Sequence, residues 1–161
     1  MAGGKAVAEP TSALRMLVCE VGRRACGLSL AHVAETMRPL PLEPLASAPA
    51  FVAGLSIVRG EPIPVLDLRL LLGAAVTPES ARRLVTLRID SRRAGLLVDA
   101  VQGVRSIPAG TLQALPRLLG DASAEVVTEI GRLDERLLLV LEAGRMVPAS
   151  VWAAMAEGRP A

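Results

Sequence analysis

Three residues come closest to a metal-binding cluster in this sequence: Cys19, Cys26 and His32. Their spacing fits none of the common zinc patterns, and a fourth ligand is missing. Nucleophilic catalysis has little support, because the chain has one histidine and no G-x-S-x-G elbow. Glycine-rich dinucleotide and phosphate-binding motifs are absent as well. The sequence therefore predicts no metal, no cofactor and no catalytic residue.

Two aspartates, Asp67 and Asp99, each end an apolar, strand-like run. Paired carboxylates can perform acid–base chemistry, but such aspartates more often accept backbone N–H bonds at a turn. We therefore predict structural roles, with Asp67 capping a short helix that Gly73 closes. An apolar, solvent-accessible cavity holding both carboxylates would instead indicate a small-ligand-binding β-barrel or an unrecognised hydrolase.

The elements that would position these residues are short strands. Apolar runs around Gly22-Arg23-Arg24 predict a hairpin. A two-residue turn at Gly22-Arg23 would place Cys19 opposite Cys26, whereas a longer loop would separate them. Turn signals recur at the intervals of small barrels, and no long amphipathic helix is predicted before the helix-like tail at 148–157. Gly103 predicts a bulge or bend. We expect a flexible leader at 1–13, a single domain at 14–157 and a tail at 158–161.

Composition narrows the class of protein further. Hydrophobic residues make up 52% of the chain, enough for a core, but aromatic residues only 1%. Nucleic-acid binding by base stacking is disfavoured, and the arginine pairs, including Arg82-Arg83, are interpreted as solvated turns. No apolar run reaches the ~18 residues of a membrane helix, and the N-terminus does not resemble a secretory signal. We expect a cytoplasmic protein with reduced thiols.

One stretch, "GLSIVRGEPIPVLDL", places an arginine inside an apolar run. Gly60 can supply a left-handed turn after Arg59. Pro62 and Pro64 lack backbone donors, which predicts an edge strand or the start of a strand. Within the protein, Arg59 is expected to pair with Asp67, Asp99 or backbone carbonyls unless it binds a partner.

The order of these segments resembles the CheW family of chemotaxis coupling proteins over about residues 16–147. The stretch "PAFVAGLSIVRGEPIPVLDL" matches one family motif, and "GLLVDAVQGV" matches a second at the right separation. The positions that carry the resemblance are Gly54, Arg59, Gly60, Pro64, Asp67, Leu68, Gly95, Val98, Asp99, Val101 and Val104. "ACGLSLAHVAET" occupies the place of the family's first hairpin and the segment after it, which contains Val33 and Glu35.

The resemblance implies a mainly β CheW-like fold. Two small five-stranded SH3-like β-barrels would pack on a shared apolar seam, with short helices that include a C-terminal one. It also implies a non-enzymatic adaptor that binds the cytoplasmic tip of a chemoreceptor and the regulatory domain of a CheA-type histidine kinase, recruited to membrane-associated receptor arrays. By motif, Val33, Glu35, Gly54 and Arg59 are receptor-binding residues. Gly60, Pro64, Asp67, Gly95, Asp99 and Val101 are structural.

The sequence departs from the family pattern at three positions. Ile57 replaces the asparagine that precedes the arginine by two residues, and Cys19 and Cys26 replace aromatic residues of the first hairpin. These differences leave open a divergent CheW-like module that binds another scaffold or polarity protein. They also leave open a member of a non-flagellar array.

Overall fold

The computed structural model of this chain describes residues 13–73, 82–115 and 125–157. Almost all of the predicted leader and the whole tail at 158–161 lie outside these ranges. The strands are β1 Ala13–Val21, β2 Arg24–Ser29, β3 Val33–Met37, β4 Val52–Val58, β5 Glu61–Asp67, β6 Arg83–Ile89, β7 Arg92–Val98, β8 Ala100–Pro108, β9 Gln113–Ala114, β10 Val127–Leu133 and β11 Arg136–Leu141. The helices are α1 Leu68–Leu71 and α2 Ala149–Glu157. Short 3₁₀ turns lie at Leu30–His32, Ala109–Thr111 and Ala143–Arg145.

The first sheet joins the two ends of the described chain, in the order β8-β1-β2-β11-β10-β9. β2 and β11 pair in parallel, so the N-terminal and C-terminal hairpins share one sheet. The two outer strands, β8 and β9, are consecutive in the chain and are connected through the turn at Ala109–Thr111. The sheet therefore curls into a small barrel. The sheet has one strand more than the five implied by the family resemblance, and this sixth strand, β9, has only two residues.

The second sheet has five strands in the order β3-β6-β7-β5-β4. β5 and β7 pair in parallel, but only from Val65 to Asp67 on β5. The first half of β5, which holds Pro62 and Pro64, pairs with β4 alone. The prediction of a strand start is confirmed there, whereas an edge position for the whole strand is wrong. Prolines are tolerated because that half makes no ladder with β7.

Three apolar clusters follow from these two sheets. Met16, Val18 and Leu138 belong to the interior cluster of the first barrel. Val58 and Ile63 belong to that of the second. The third and largest cluster combines residues of both sheets with helix residues and fills the seam between the barrels, as in Leu17, Cys19, Cys26, Leu28, Leu68, Val85, Leu87, Leu96, Val98 and Val151. Strands such as β1 are thus buried on both faces, which accounts for their continuous apolar sequence.

The first hairpin and the bend in β8 form as predicted. Val21 pairs with Arg24, so the turn is Gly22-Arg23, and Cys19 lies opposite Cys26. Gly103 has a φ of 124° at the point where the β1–β8 register shifts. A positive φ is accessible to glycine at little cost, so the bulge falls at this residue.

Candidate functional site

The most exposed charged pair with bidentate geometry joins the β4–β5 turn to β3. Arg59 Nε donates to Glu35 Oε2 at 2.9 Å, and one terminal nitrogen donates to Oε1 at 2.7 Å. The Arg59 side chain is 69% exposed and that of Glu35 is 27% exposed. Guanidinium has five N–H donors, and this fork uses two of them. The remaining N–H groups point away from Glu35 and can bind a further acceptor.

Backbone geometry holds both partners of this pair in place. Arg59 and Gly60 have φ values of 51° and 80°, the paired left-handed geometry of a two-residue hairpin turn. Glu35 is anchored by its own backbone, whose N–H donates to Thr86 Oγ1 at 3.1 Å. The pair therefore connects β3 to the turn after β4, and these two strands are the outer strands of the second sheet.

The electrostatics favour an ionised Glu35. The hydrogen bond from Arg59 has the largest effect and lowers the pKa of this carboxyl; burial raises it, and the charges of Arg59 and Arg93 lower it again, so the pKa lies below its usual value. The expectation that Arg59 pairs internally with Asp67, Asp99 or carbonyls is wrong, because its partner is Glu35. Arg93 adds a second cation near the pair, and Glu61, directly after the turn, adds a second carboxylate, so these four side chains carry no net charge.

Val33 precedes Glu35 by two residues, and Gly54 precedes Arg59 by five. Val33 is half-buried and packs against the apolar cluster of the seam. Gly54 has a φ of 145°, and a Cβ there would lie 2.4 Å from the Glu43 carbonyl oxygen. This glycine lets residue 43 form its pair of backbone hydrogen bonds with Leu55. Its structural requirement is therefore explained, whereas its role in receptor binding stays a prediction.

Asp67 has the structural role predicted for it. Its Oδ1 accepts the Arg69 N–H at 3.0 Å and caps α1, while Gly73 follows the helix with a φ of 74°. Asp67 also receives two hydrogen bonds from Arg82, at 2.7 and 2.9 Å. The interpretation of Arg82-Arg83 as a solvated turn is wrong, because Arg82 neutralises a buried carboxylate and Arg83 begins β6.

Asp99 lies where the chain passes from the second sheet to the first, between β7 and β8. Its two oxygens receive Arg69 Nε and a terminal Arg69 nitrogen, each at 2.7 Å. The Gly22 N–H donates to the same carboxylate at 2.7 Å, from the β1–β2 turn. Burial raises the pKa of Asp99, but the hydrogen bonds from Arg69 and Gly22 outweigh it and hold the pKa below its usual value. We call Arg69, Asp99 and the Gly22 N–H the inter-barrel clamp.

This arrangement does not favour catalysis by the two aspartates. Each accepts a backbone N–H and a bidentate arginine, so the hydrogen-bonding capacity of each is used inside the protein. A cleft that Asp99 lines with Thr36, Arg82 and Arg83 does not include Asp67. Within the described ranges, no group of three or more His, Cys, Asp or Glu residues is arranged to hold a metal ion.

The two thiols lie in the seam and are inaccessible. Cys19 and Cys26 are free and fully buried. Burial raises the pKa of each thiol to about 12, helped at Cys26 by the neighbouring Cys19. They fill space between the barrels as small apolar groups.

The other motif residues pack inside the second barrel or against the seam cluster. Gly95 faces the interior of the second barrel, where a Cβ would lie 2.9 Å from Leu84 Cδ1 and 3.2 Å from Val65 Cγ2. Pro64 is buried opposite Leu55, and Val101 packs on the seam cluster. None of the helices in the described ranges is long and apolar enough to cross a membrane.

Fold and site together define a double-barrel β protein with an exposed arginine fork and buried carboxylates committed to structure. The sequence profile of the CheW-like domain matches residues 15–150. The chain therefore belongs to the CheW-like family, which places it among the adaptor proteins of chemotaxis signalling. The expected family and fold are both confirmed.

Three similar proteins illustrate the relationship. The chemotaxis protein CheW of Klebsiella aerogenes is 25% identical over 142 residues, which is 88% of this chain and 86% of that protein. Protein FrzA of Myxococcus xanthus is 36% identical over 129 residues, covering 78% of this chain and 79% of FrzA. The crystal structure of the scaffolding protein TtCheW from Thermoanaerobacter tengcongensis superposes with a TM-score of 0.72 at 25% identity, over 80% of this chain and 88% of that one.

Proposed function

We propose that this protein is a non-enzymatic adaptor that couples the cytoplasmic tip of a chemoreceptor to the regulatory domain of a CheA-type histidine kinase. The observation that carries the proposal is the exposed fork of Arg59, held in a fixed orientation by Glu35 on a CheW-like scaffold. A receptor tip is a helical hairpin, so it would dock by laying a helix on this surface.

The chemistry of Arg59 suits such a partner. Its planar guanidinium matches carboxylates and helix-end carbonyls bidentately. Because Glu35 already fixes the side chain, less rotamer entropy is lost when a partner binds. Val33 and Gly54 are proposed to contribute to the same receptor surface.

The absence of catalysis belongs to the proposal as well. Two carboxylates, Asp67 and Asp99, were the candidates for acid–base work. Each accepts a backbone N–H and two hydrogen bonds from one arginine, and the pKa of Asp99 is lowered, whereas a general acid needs a raised one. A scaffold requires stable surfaces, which these ion pairs support.

We further propose that residues 14–157 fold as one domain, located in the cytoplasm and recruited to receptor arrays. Because β1 and β2 share a sheet with β10 and β11, the first barrel needs both ends of this segment. The second barrel is inserted between them. Limited proteolysis should therefore yield one protected fragment, whereas two separately stable halves would contradict the single-domain proposal.

Binding measurements with purified components test the function. Isothermal titration with a receptor-tip hairpin and with the CheA regulatory domain, both from the same genome, should give binding to each. Arg59→Glu should weaken binding to the receptor tip at least tenfold without lowering the melting temperature. Arg105→Glu is the matched control, since Arg105 forms an exposed pair with Asp134, 44% and 69% exposed, on the first barrel.

Other outcomes would redirect the proposal. Equal losses in both variants would indicate a general charge effect. A fall in both melting temperature and binding for Arg59→Glu would assign the residue to the architecture. Binding to neither partner would favour the divergent module that recognises another scaffold or polarity protein.

A further inference from the structure

Two large apolar side chains are far more exposed than the others in the described ranges. Ile57 on β4 is 62% exposed and Leu137 on β11 is 60% exposed, whereas the next, Val104, is 42% exposed. Single exposed aliphatic residues are common on protein surfaces. The surroundings of each residue therefore decide whether its exposure has a function.

The surroundings of Ile57 are apolar and rigid. Ile57 lies opposite Pro62 in the β4–β5 register. On the other side of β4, the Pro41 carbonyl accepts a hydrogen bond from Ser56 Oγ at 2.8 Å. Pro41 and Pro62 are both exposed, and neither has a backbone N–H to offer a partner. This surface can therefore form apolar contacts but offers a partner few backbone N–H donors.

Charge is supplied at one end of the same strand. Arg59 is the first residue of the turn and follows Ile57 by two residues, so their Cα atoms lie about 7 Å apart across the extended Val58. The outward N–H groups of Arg59 are not used by Glu35. An aliphatic side chain and an arginine side chain are thus attached about 7 Å apart on one fixed backbone.

This spacing matches one turn of an α-helix. Residues four apart on a helix are separated by about 6 Å along its axis and lie on the same face. We infer that Ile57 is a specificity-determining residue of the receptor surface. It contacts an aliphatic side chain of an amphipathic helix whose carboxylate, three or four residues away, binds Arg59. The inference rests on the proposed function and adds the chemistry of the partner.

Leu137 provides the comparison that separates this role from general hydrophobicity. It has the same exposure but lies on the other sheet, opposite Arg132 of β10. A threonine at either position retains the strand propensity and removes aliphatic surface. If threonine weakens binding at position 57 but not at position 137, the loss depends on where the residue lies and not on surface hydrophobicity in general.

The experiment measures the dissociation constant for the receptor-tip hairpin by isothermal titration, together with thermal unfolding. Ile57→Thr should weaken binding about fivefold to tenfold, because an aliphatic contact is lost. Ile57→Val, which keeps an aliphatic contact, should stay within about twofold. Leu137→Thr should leave binding unchanged, and all three variants should melt within about 2 °C of the wild type.

Each remaining result would overturn the inference. Unchanged binding in Ile57→Thr, with loss in Arg59→Glu, would remove Ile57 from the interface while the proposed function stands. Equal weakening in Leu137→Thr would indicate a general effect. A wild-type dimer that Ile57→Thr dissociates, at unchanged receptor affinity, would show that the patch joins two copies of this chain. Absence of wild-type binding would overturn both proposals.

Discussion

Two arginine–carboxylate pairs with the same bidentate geometry lie at very different depths in this molecule. The side chains of Arg69 and Asp99 are 6% and 14% exposed, whereas those of Arg59 and Glu35 are 69% and 27% exposed. The shortest contact is 2.7 Å in both pairs. Because the bonds are alike, the surroundings of each pair decide its role.

The buried pair uses its polar groups inside the protein. Asp99 also accepts the Gly22 N–H, so the clamp connects α1 to the β1–β2 turn of the other sheet. Arg24 adds a second link by donating to the Leu72 carbonyl at 3.1 Å. The exposed pair keeps N–H groups for a partner. The difference in side-chain burial therefore distinguishes a pair that stabilises the fold from a pair that can bind a partner.

The largest effect is expected from breaking the clamp. Asp99→Ala removes the carboxylate that accepts two hydrogen bonds from Arg69 and one from the Gly22 N–H. The free energy of unfolding should fall by about 2 kcal/mol, which corresponds to a melting temperature about 6 °C lower. Chemical denaturation and calorimetry measure this. Asp134→Ala, which breaks an exposed pair, should cost no more than about 0.5 kcal/mol; equal losses would contradict the distinction.

The same residue makes stability depend on pH in a defined direction. The folded-state pKa of Asp99 lies below its value in the unfolded chain, about 3.9. Its stabilisation is therefore complete above that value and disappears as pH falls through the lowered folded-state pKa. The stability difference between the wild type and Asp99→Asn should shrink on acidification in this window. A difference that grows below pH 4 would reverse the assignment.

Exchanging the two residues of an ion pair separates its contribution to binding from its contribution to stability. The double variant Glu35→Arg, Arg59→Glu should melt within about 1 °C of the wild type, because an exposed pair contributes little in either orientation. Its binding to the receptor tip should nevertheless fall at least tenfold, since a carboxylate now occupies the turn. Exchanging Arg69 and Asp99 should not restore stability, because the Gly22 N–H then lacks an acceptor. Wild-type affinity for the receptor tip in the Glu35→Arg, Arg59→Glu double variant would show that binding does not require the guanidinium at position 59.

The smallest effect concerns the contact between β7 and α2. The Arg92 guanidinium lies 4.9 Å from the centre of the Trp152 ring. Arg92→Gln should reduce stability by about 0.5 kcal/mol and shift the emission of the protein's single tryptophan. Arg88→Gln on the neighbouring strand is the control and should leave the emission unchanged. An unaltered spectrum in Arg92→Gln would show that the contact is not maintained in solution.

Local signals in the sequence predicted much of this structure. The two-residue turn at Gly22, the cap at Asp67 and the bulge at Gly103 each depend on residues within a few positions. The family resemblance added the double-barrel fold. The partners of the arginines were missed, because Arg59 and Glu35 are 24 residues apart and Arg69 and Asp99 are 30 apart. No local rule relates residues at such distances.

The strands, the turns and the family can be predicted from the chain alone, because hydrophobic alternation, glycine and proline act on neighbouring residues. Which carboxylate each arginine meets, and how deep each pair lies, depends on the packing of distant segments. Parallel pairing of β2 with β11 and of β5 with β7 brings distant segments together. Packing on the shared seam then buries one pair and leaves the other in water. Burial is a collective property of the packed barrels, and the separate roles of Arg59 and Arg69 follow from it.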